Sequence, residues 1–230
     1  MKITLFLPTL NEIKGMEAII PRIKKEWFDE IILVDGGSTD GTVEYAKQQG
    51  FKVHHQTSKG ITGAYEEVIQ IAQGDVVVAF SPDGNSVPEM IPSLIQKMKE
   101  GYDMVIVSRY LKGAQSEDDS WVTAFGNWMF TYIINILFGG KYTDSLVIFR
   151  AWRKDIIQKF PKNVPRAGFE TLSSIRCAKY KMKVTEIPGD EPSRIGGVRK
   201  MNPFLNGLDI LKLIAMEFIT KKKVEVSVVE

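Results

Sequence analysis

Residues 75–85, DVVVAFSPDGN, constrain the fold more than any other stretch of the chain. The apolar run 76–80 is long enough for a buried strand and too short for a free-standing helix. It breaks into Ser81, Pro82, Asp83, Gly84 and Asn85, which places a carboxylate and an amide two positions apart in a turn. Ligands of open α/β sheets bind at the carboxyl ends of the strands. An acid there, beside a glycine that permits close approach, suits a divalent metal or a diphosphate. Pro-Asp-Gly is also ordinary turn chemistry, so the rest of the chain has to decide.

Other strands appear on either side of it. Residues 3–7 (ITLFL) and 30–34 read as buried strands, with shorter ones at 51–54 and 104–107. Pro8 is expected to stop the first strand, and Thr9 or Asn11 to cap a helix reaching about residue 25. The second strand ends at Asp35 in DGGSTDGT, where Thr39 or Asp40 can cap a helix over 42–49 that Gly50 closes. Lys59, Gly60 and Gly63 introduce a helix closed by Gly74, and a further helix spans about 88–99. Strands alternating with helices predict an α/β fold, a mainly parallel sheet covered on both faces, over about the first 110 residues. Polar groups gather at three strand ends, 8–12, 35–40 and 83–85. No segment matches GxGxxG or GxxxxGK[ST], which argues against dinucleotide and P-loop sites.

The second half is less regular. After a polar loop, QSEDDS at 115–120, the residues Phe125, Trp128, Met129, Tyr132, Ile133, Ile136 and Leu137 fall at helical spacing. Such a helix fits the core, a homodimer contact or a lipid surface. Residues 144–150 resume strand character, 169–181 suit a helix, 184–187 a strand and 191–200 a loop with three cations. The last helix sets Phe204, Leu208, Leu211, Ala215 and Phe218 on one face and ends at Lys221, Lys222 and Lys223. That cluster suits a solvated helix end or an anionic membrane surface.

Composition excludes several classes. The 30 Lys and Arg against 28 Asp and Glu leave a net charge of +2, too little for a nucleic-acid field over the whole protein. Cys177 is the sole cysteine, and His54 and His55 are the two histidines. A disulfide framework and a Cys- or His-rich metal cluster are therefore excluded, and a reducing cytoplasm fits. The apolar run at the N-terminus is too short for a secretory signal. Nowhere do about 18 apolar residues run uninterrupted: 121–140 contains Asn127 and Asn135, and 203–220 contains Asp209, Lys212 and Glu217. The expectation is a chain that does not span a membrane, with peripheral contact on the inner face left open.

Together the motifs resemble the family 2 glycosyltransferases, closest to the dolichyl-phosphate mannosyltransferase and polyprenyl-phosphate sugar transferase group. LPTLNE at 7–12 is similar to that family's P-x-x-N-E, and DGGSTDGT at 35–42 to its D-D-G-S-x-D-G-T. Ala72, Gly74 and Asp75 followed by Asp83, Gly84 and Asn85 resemble A-x-G-D and D-x-D. Ser108-Arg109-Tyr110 resembles S-R-Y/F, Asp144 with Phe149 and Arg150 resembles D-x-x-S-G-F-R, and Arg194, Gly197 and Lys200 resemble R-x-x-G-x-S-K. The similarity runs from residue 2 to about 205. The chain departs from the pattern at Gly36, where the second acid stands, at Asn85, where the last acid of D-x-D stands, and at Val147, Ile148 and Arg199.

The resemblance implies one Rossmann-like GT-A domain over residues 1–230, with a nucleotide-sugar half at 1–110 and an acceptor-side half at 111–230. It implies inverting transfer of a sugar from a nucleoside-diphosphate donor to a lipid-carrier phosphate or a glycan or glycolipid hydroxyl, assisted by Mg²⁺ or Mn²⁺. Negative charge builds on the leaving diphosphate, which calls for a hard cation and fixed cationic donors. Asp83 and Asn85 are the expected metal ligands, and Gly84 lies between them. Arg109, Arg194 and Lys200 are the expected phosphate clamps. Pro8, Thr9, Leu10, Glu12 and Asp35 are expected to line the base and ribose pocket. Glu170 is the candidate general base for a hydroxyl acceptor; an anionic phosphate acceptor needs none. Asp83, Glu170 and Arg109 are thus the expected catalytic set. Two readings stand beside this one: a degenerate homologue that binds nucleotide without turnover, and a sugar-1-phosphate nucleotidyltransferase. The latter usually carries a glycine-rich basic loop that residues 8–12 lack.

Overall fold

The computed structural model describes residues 1–158, 160, 168–196 and 202–220. Among them seven strands form one sheet: β1 (Ile3–Thr9), β2 (Glu30–Asp35), β3 (Lys52–His55), β4 (Val76–Ala79), β5 (Met104–Ser108), β6 (Arg150–Arg153) and β7 (Val184–Pro188). Their spatial order is β3-β2-β1-β4-β6-β5-β7. All neighbours run parallel except β6, which is antiparallel to both β4 and β5. The helices are α1 (Ile13–Ile19), α2 (Thr42–Gln48), α3 (Gly60–Ile71), α4 (Ile91–Lys99), α5 (Trp121–Phe138), α6 (Lys154–Gln158), α7 (Phe169–Lys179) and α8 (Pro203–Ile219).

The apolar strands follow from burial on both faces. Leu5, Leu7, Leu33, Val76, Val78 and Val105 pack against Met16, Ile19, Ala46 and Leu94 of α1, α2 and α4. The alternate residues Phe6, Ile32, Val34, Val77, Ala79 and Ile106 pack against Tyr65, Phe130, Leu172 and Ile210 of α3, α5, α7 and α8. A central strand sandwiched this way is apolar at every position, and each buried Val or Leu contributes roughly 1.5–3 kcal/mol.

The structure corrects three sequence expectations. Pro8 does not stop β1, which continues to Thr9 and pairs with β2 through Asp35. Phe6 O accepts from Phe80 N on the β4 side, so Pro8, two residues on, turns its missing N–H to that side. There the β1–β4 pairing has already ended, at Phe6 and Ala79, so no ladder bond is lost. The first helix ends at Ile19 instead of about residue 25, because Pro21 opens a short 3₁₀ turn at Ile20–Arg22. Residues 144–149 are irregular, and the strand expected there is β6, displaced to Arg150–Arg153. The second half of the chain thus supplies β6 and β7 to the same sheet.

Candidate active site

The loops after β1, β2 and β4 meet at the carboxyl end of the sheet. Asn11 takes a left-handed conformation, φ 57°, which suits Asn better than most side chains. It ties the first two loops together instead of capping α1: its N–H donates to Ser38 Oγ at 2.8 Å, and its Oδ1 accepts from Thr39 N at 2.8 Å. Glu12 N donates to Thr42 Oγ1 and Ile13 N to Asp40 Oδ2. Burial works against the charge of Asp40, yet hydrogen bonds from Thr42 and Ile13 hold its carboxyl below the usual range. Asp35 is buried, and its carboxylate accepts from Gly37 N at 3.0 Å and from Ser38 N. It shapes the turn. Thr9 is buried with its Oγ1 unpartnered, whereas Leu10 is exposed.

Asp83 sits in the turn after β4, buried to 3% exposure. Two close approaches lock that turn. A Cβ on Gly15 of α1 would stand 2.3 Å from Pro82 O, so α1 can pack on the turn only as glycine. Gly84 has φ 94°, and a Cβ there would meet Ile195 at 2.5 Å. The late segment returns over the site: Ile195 N donates to Asp83 O at 3.0 Å, and Arg194 Nη2 lies 2.6 Å from Asp83 Oδ2. Arg194 Nη1 lies 3.6 Å from Glu12 Oε1. Asp83, Glu12, Gly84 and Arg194 therefore converge. Asn85 is alongside, its N–H 3.3 Å from Asp83 Oδ1. Lys200 lies outside the described residues.

Among those residues no three His, Cys, Asp or Glu side chains converge as a metal cage. Asp83 and Asn85 offer one carboxylate and one amide oxygen. Such a hard oxygen pair fits Mg²⁺ or Mn²⁺ whose remaining ligands are substrate phosphates and water, the usual way Mg²⁺ is held at phosphate sites.

Arg109, expected as a phosphate clamp, is instead enclosed by acids. Its Nε and Nη2 donate to the two oxygens of Asp144 at 2.6 and 3.0 Å, a bidentate pair. Its Nη1 faces Glu191 at 3.1 Å and Asp119 at 3.4 Å. Tyr110 Oη donates to Asp119 as well. Burial opposes the charge of Arg109, but Asp144 and Glu191 hold it firmly protonated. Burial also pushes Glu191 up, against the pull of Arg109. Asp144 is itself positioned by Glu186, which accepts from Thr143 N and Asp144 N. With its donors spent on protein acids, Arg109 braces the loops that carry Asp119, Asp144 and Glu191.

Glu170 lies at the start of α7, buried to 6% exposure beside Phe169, which stacks on Tyr65 at 4.3 Å and tilts against Trp152. Its Oε1 is buried without a hydrogen-bond partner, as are Tyr65 Oη and Trp152 Nε1. Burial raises the carboxyl above its ordinary range, and the nearby Arg150 only partly offsets this. Arg150, fully buried, donates from Nη1 to Glu170 O at 2.8 Å. A carboxyl set in an aromatic core is poorly placed to meet a substrate hydroxyl.

The face expected for the aromatic helix divides: Met129 and Ile133 pack against the core, and the rest is exposed. On α5, Trp121 is 81% and Trp128 60% exposed, and Phe125, Tyr132 and Ile136 continue the same face. Trp128 tilts against Phe125 and stacks on Tyr132. The α8 face bearing Leu208, Leu211 and Phe218 is likewise exposed, with Phe204 at 80%. The two helices pack on each other and on α7, and by length and composition α5 is long and apolar enough to cross a membrane. Lys221, Lys222 and Lys223 lie outside the described residues.

The family model described as glycosyl transferase family 2 matches residues 4–160. The chain is 30% identical over 220 residues to dolichol-phosphate mannosyltransferase of Pyrococcus furiosus, covering 87% of this chain and 59% of that protein. It is 26% identical over 217 residues to undecaprenyl-phosphate mannosyltransferase of Micrococcus luteus, covering 88% of each. The fold matches glucosyl-3-phosphoglycerate synthase of Mycobacterium tuberculosis, solved with Mn²⁺, uridine diphosphate and phosphoglyceric acid. That match has a TM-score of 0.73 at 18% identity and covers 96% of this chain and 80% of the other. The GT-A arrangement expected from the motifs is thus the one observed.

Proposed function

The chain belongs to glycosyl transferase family 2 and is a glycosyltransferase; on that premise we propose that it moves a sugar from a nucleoside-diphosphate donor, with inversion, to a lipid-carrier phosphate. The observation that carries this reading is the meeting of Asp83, Glu12 and Arg194 over Gly84 at the ends of β1 and β4. An acid and a guanidinium at one strand-end crevice suit a diphosphate and the cation that accompanies it. In the reaction an acceptor oxygen bonds to the anomeric carbon from the face opposite the donor diphosphate. The bond from that carbon to the diphosphate oxygen breaks, and its electron pair leaves with the nucleoside diphosphate. Arg194 stabilises the charge that builds there. Asp83 and Asn85 would hold Mg²⁺ or Mn²⁺, which supplies further charge neutralisation when bound.

The acceptor follows from two observations. Glu170 is walled into the aromatic core, so the general base a hydroxyl would need is not offered by that residue. A phosphate monoester is already an anionic nucleophile. The exposed aromatic face of α5 and α8 suits peripheral contact with a bilayer, where a lipid carrier resides. The names of the Pyrococcus and Micrococcus relatives support the same acceptor class. Cytoplasmic placement on the inner face of the membrane is consistent with a chain that has one buried, unpaired cysteine.

The test is transfer of radiolabelled sugar from a panel of nucleoside-diphosphate sugars to polyprenyl phosphate in vesicles, with Mn²⁺. Glycosylated lipid phosphate is expected with wild type and is expected to disappear with Asp83→Ala. Transfer to a soluble hydroxyl acceptor alone would overturn the acceptor assignment.

A further inference from the structure

We propose that Gln56 reads the nucleobase of the donor, and that it selects bases carrying a ring imino N–H over bases that lack one; this rests on the donor reading above. The starting point is Gly36. A Cβ on that residue would stand 3.5 Å from Thr9 O, 3.6 Å from Gln56 Oε1 and 3.7 Å from Leu10 Cβ. The space beside the glycine that replaces an acid is therefore bordered by the amide oxygen of Gln56.

That amide is held in one orientation. Gln56 N donates to Asp35 O at 2.8 Å, which anchors the residue directly after β3. Its Nε2 donates to Gly60 O at 2.7 Å. A carbonyl oxygen can only accept, so the nitrogen belongs on Gly60 and the oxygen on the side of Gly36. Behind it, a Cβ on Gly63 would stand 3.0 Å from Gln56 Nε2, so α3 leaves no room for retreat. The neighbouring loop is fixed through Glu67, which accepts from Thr57 N at 3.0 Å and Ser58 N at 2.7 Å and pairs with His54 Nε2 at 2.6 Å.

Placement agrees with a base-reading role. The sheet order β3-β2-β1-β4 puts Gln56 three strand steps from Asp83, or about 14 Å at ~4.8 Å per step. With the diphosphate at Asp83 and Arg194, an extended nucleotide brings its base to the end of β3. A neutral acceptor there pairs with N3–H of uracil or thymine or N1–H of guanine. Cytosine N3 and adenine N1 present lone pairs and meet it with repulsion. The amide thus sets a neutral acceptor beside Gly36, where the chain carries no acid.

Calorimetric titration of UDP, GDP, CDP and ADP, each with Mn²⁺, tests this on wild type, Gln56→Met and Gln56→Glu. Wild type is expected to bind UDP or GDP at least about tenfold more tightly than CDP and ADP. Gln56→Met is expected to bind all four with similar, weaker affinity, and Gln56→Glu, which keeps an acceptor, to retain the preference. Melting curves establish that each variant is folded, and the Glu variant carries the test should the Met variant unfold. Equal wild-type affinities, or a preference that survives Gln56→Met, would overturn the inference while leaving the donor class standing. Binding of none of the four diphosphates would overturn the donor reading itself, and the inference with it.

Discussion

Arg194 Nη2 lies 2.6 Å from Asp83 Oδ2, so the segment that follows β7 closes directly on the turn that follows β4. In the proposed reaction the two groups would serve different parts of a metal diphosphate: the carboxylate suits the cation and the guanidinium suits the phosphates. On that reading, their pairing makes each group compete with the other's ligand.

Removing the guanidinium should therefore act in opposite directions on metal and on nucleotide. Arg194→Ala is expected to raise the KM for the donor by about tenfold, the loss of one charge-assisted contact. The same variant is expected to bind Mn²⁺ more tightly than wild type when nucleotide is absent, because Asp83 is freed. Titration of Mn²⁺ followed by paramagnetic resonance reads the second effect. Unchanged or weaker metal binding would show that Asp83 is not the cation's ligand.

The Arg109 cage gives a stability prediction. Asp144 is fully buried and holds Arg109 through two hydrogen bonds. Asp144→Asn removes the charge and one acceptor while leaving the cation inside, which should destabilise the fold by about 3 kcal/mol. Denaturant unfolding measures it. Glu191 and Asp119 remain as partners, so the loss should be smaller when Glu191→Gln is made alone. A double variant costing less than the sum would show that Asp144 and Glu191 act through one network.

Glu67 sets an acid limit. Burial works against its charge, but donors from Ser58, Thr57 and His54 outweigh this and lower its carboxyl from 4.5 to about 2. The folded value lies below the unfolded one, so the unfolded chain binds the extra proton first as pH falls. The stabilisation is complete above about pH 4.5 and is lost as pH falls toward 2. The melting temperature of wild type should exceed that of Glu67→Gln at neutral pH, and the gap should close between those two values. A gap independent of pH would mean that the contacts, and not the charge, hold the 56–58 loop.

What could be read from sequence divides along a physical line. The stretch 76–80 announced itself because a strand buried on both faces is apolar at every position, and the turn residues of 35–40 and 83–85 marked the carboxyl end of the sheet. Those signals are local. The fate of Arg109 was not local: Asp119, Asp144 and Glu191 reach it from three separate segments, and nothing at the SRY motif names them. The same holds for β6, whose antiparallel insertion between β4 and β5 is decided by pairing across more than forty residues. Glu170 is a base candidate by the family resemblance, and only its burial beside Phe169, which packs on Tyr65 and Trp152, puts it indoors. Gln56 lacked any signal, since its meaning depends on the space left by Gly36.

The exposed face of α5 and α8 carries the last prediction. Trp121, Phe125, Trp128, Tyr132 and Ile136 recur at spacings that keep them on one side of α5, and Phe204, Leu208 and Leu211 extend the surface on α8. Aromatic rings exposed on this scale are costly in water and are favoured at a bilayer interface, where apolar ring and polar edge are both satisfied. Each ring transferred contributes roughly 1.5–3 kcal/mol, so Trp128→Ser with Phe204→Ser should cut vesicle binding at least tenfold. Both side chains point away from the core, so the melting temperature should be unchanged. The donor KM should also be unchanged, because neither residue belongs to the loops around Asp83. Turnover on polyprenyl phosphate in vesicles should fall with binding, and turnover on a detergent-solubilised short-chain acceptor should be retained. Loss of both activities together would place these rings in catalysis or folding, and equal vesicle binding by the variant would remove the membrane role from this face.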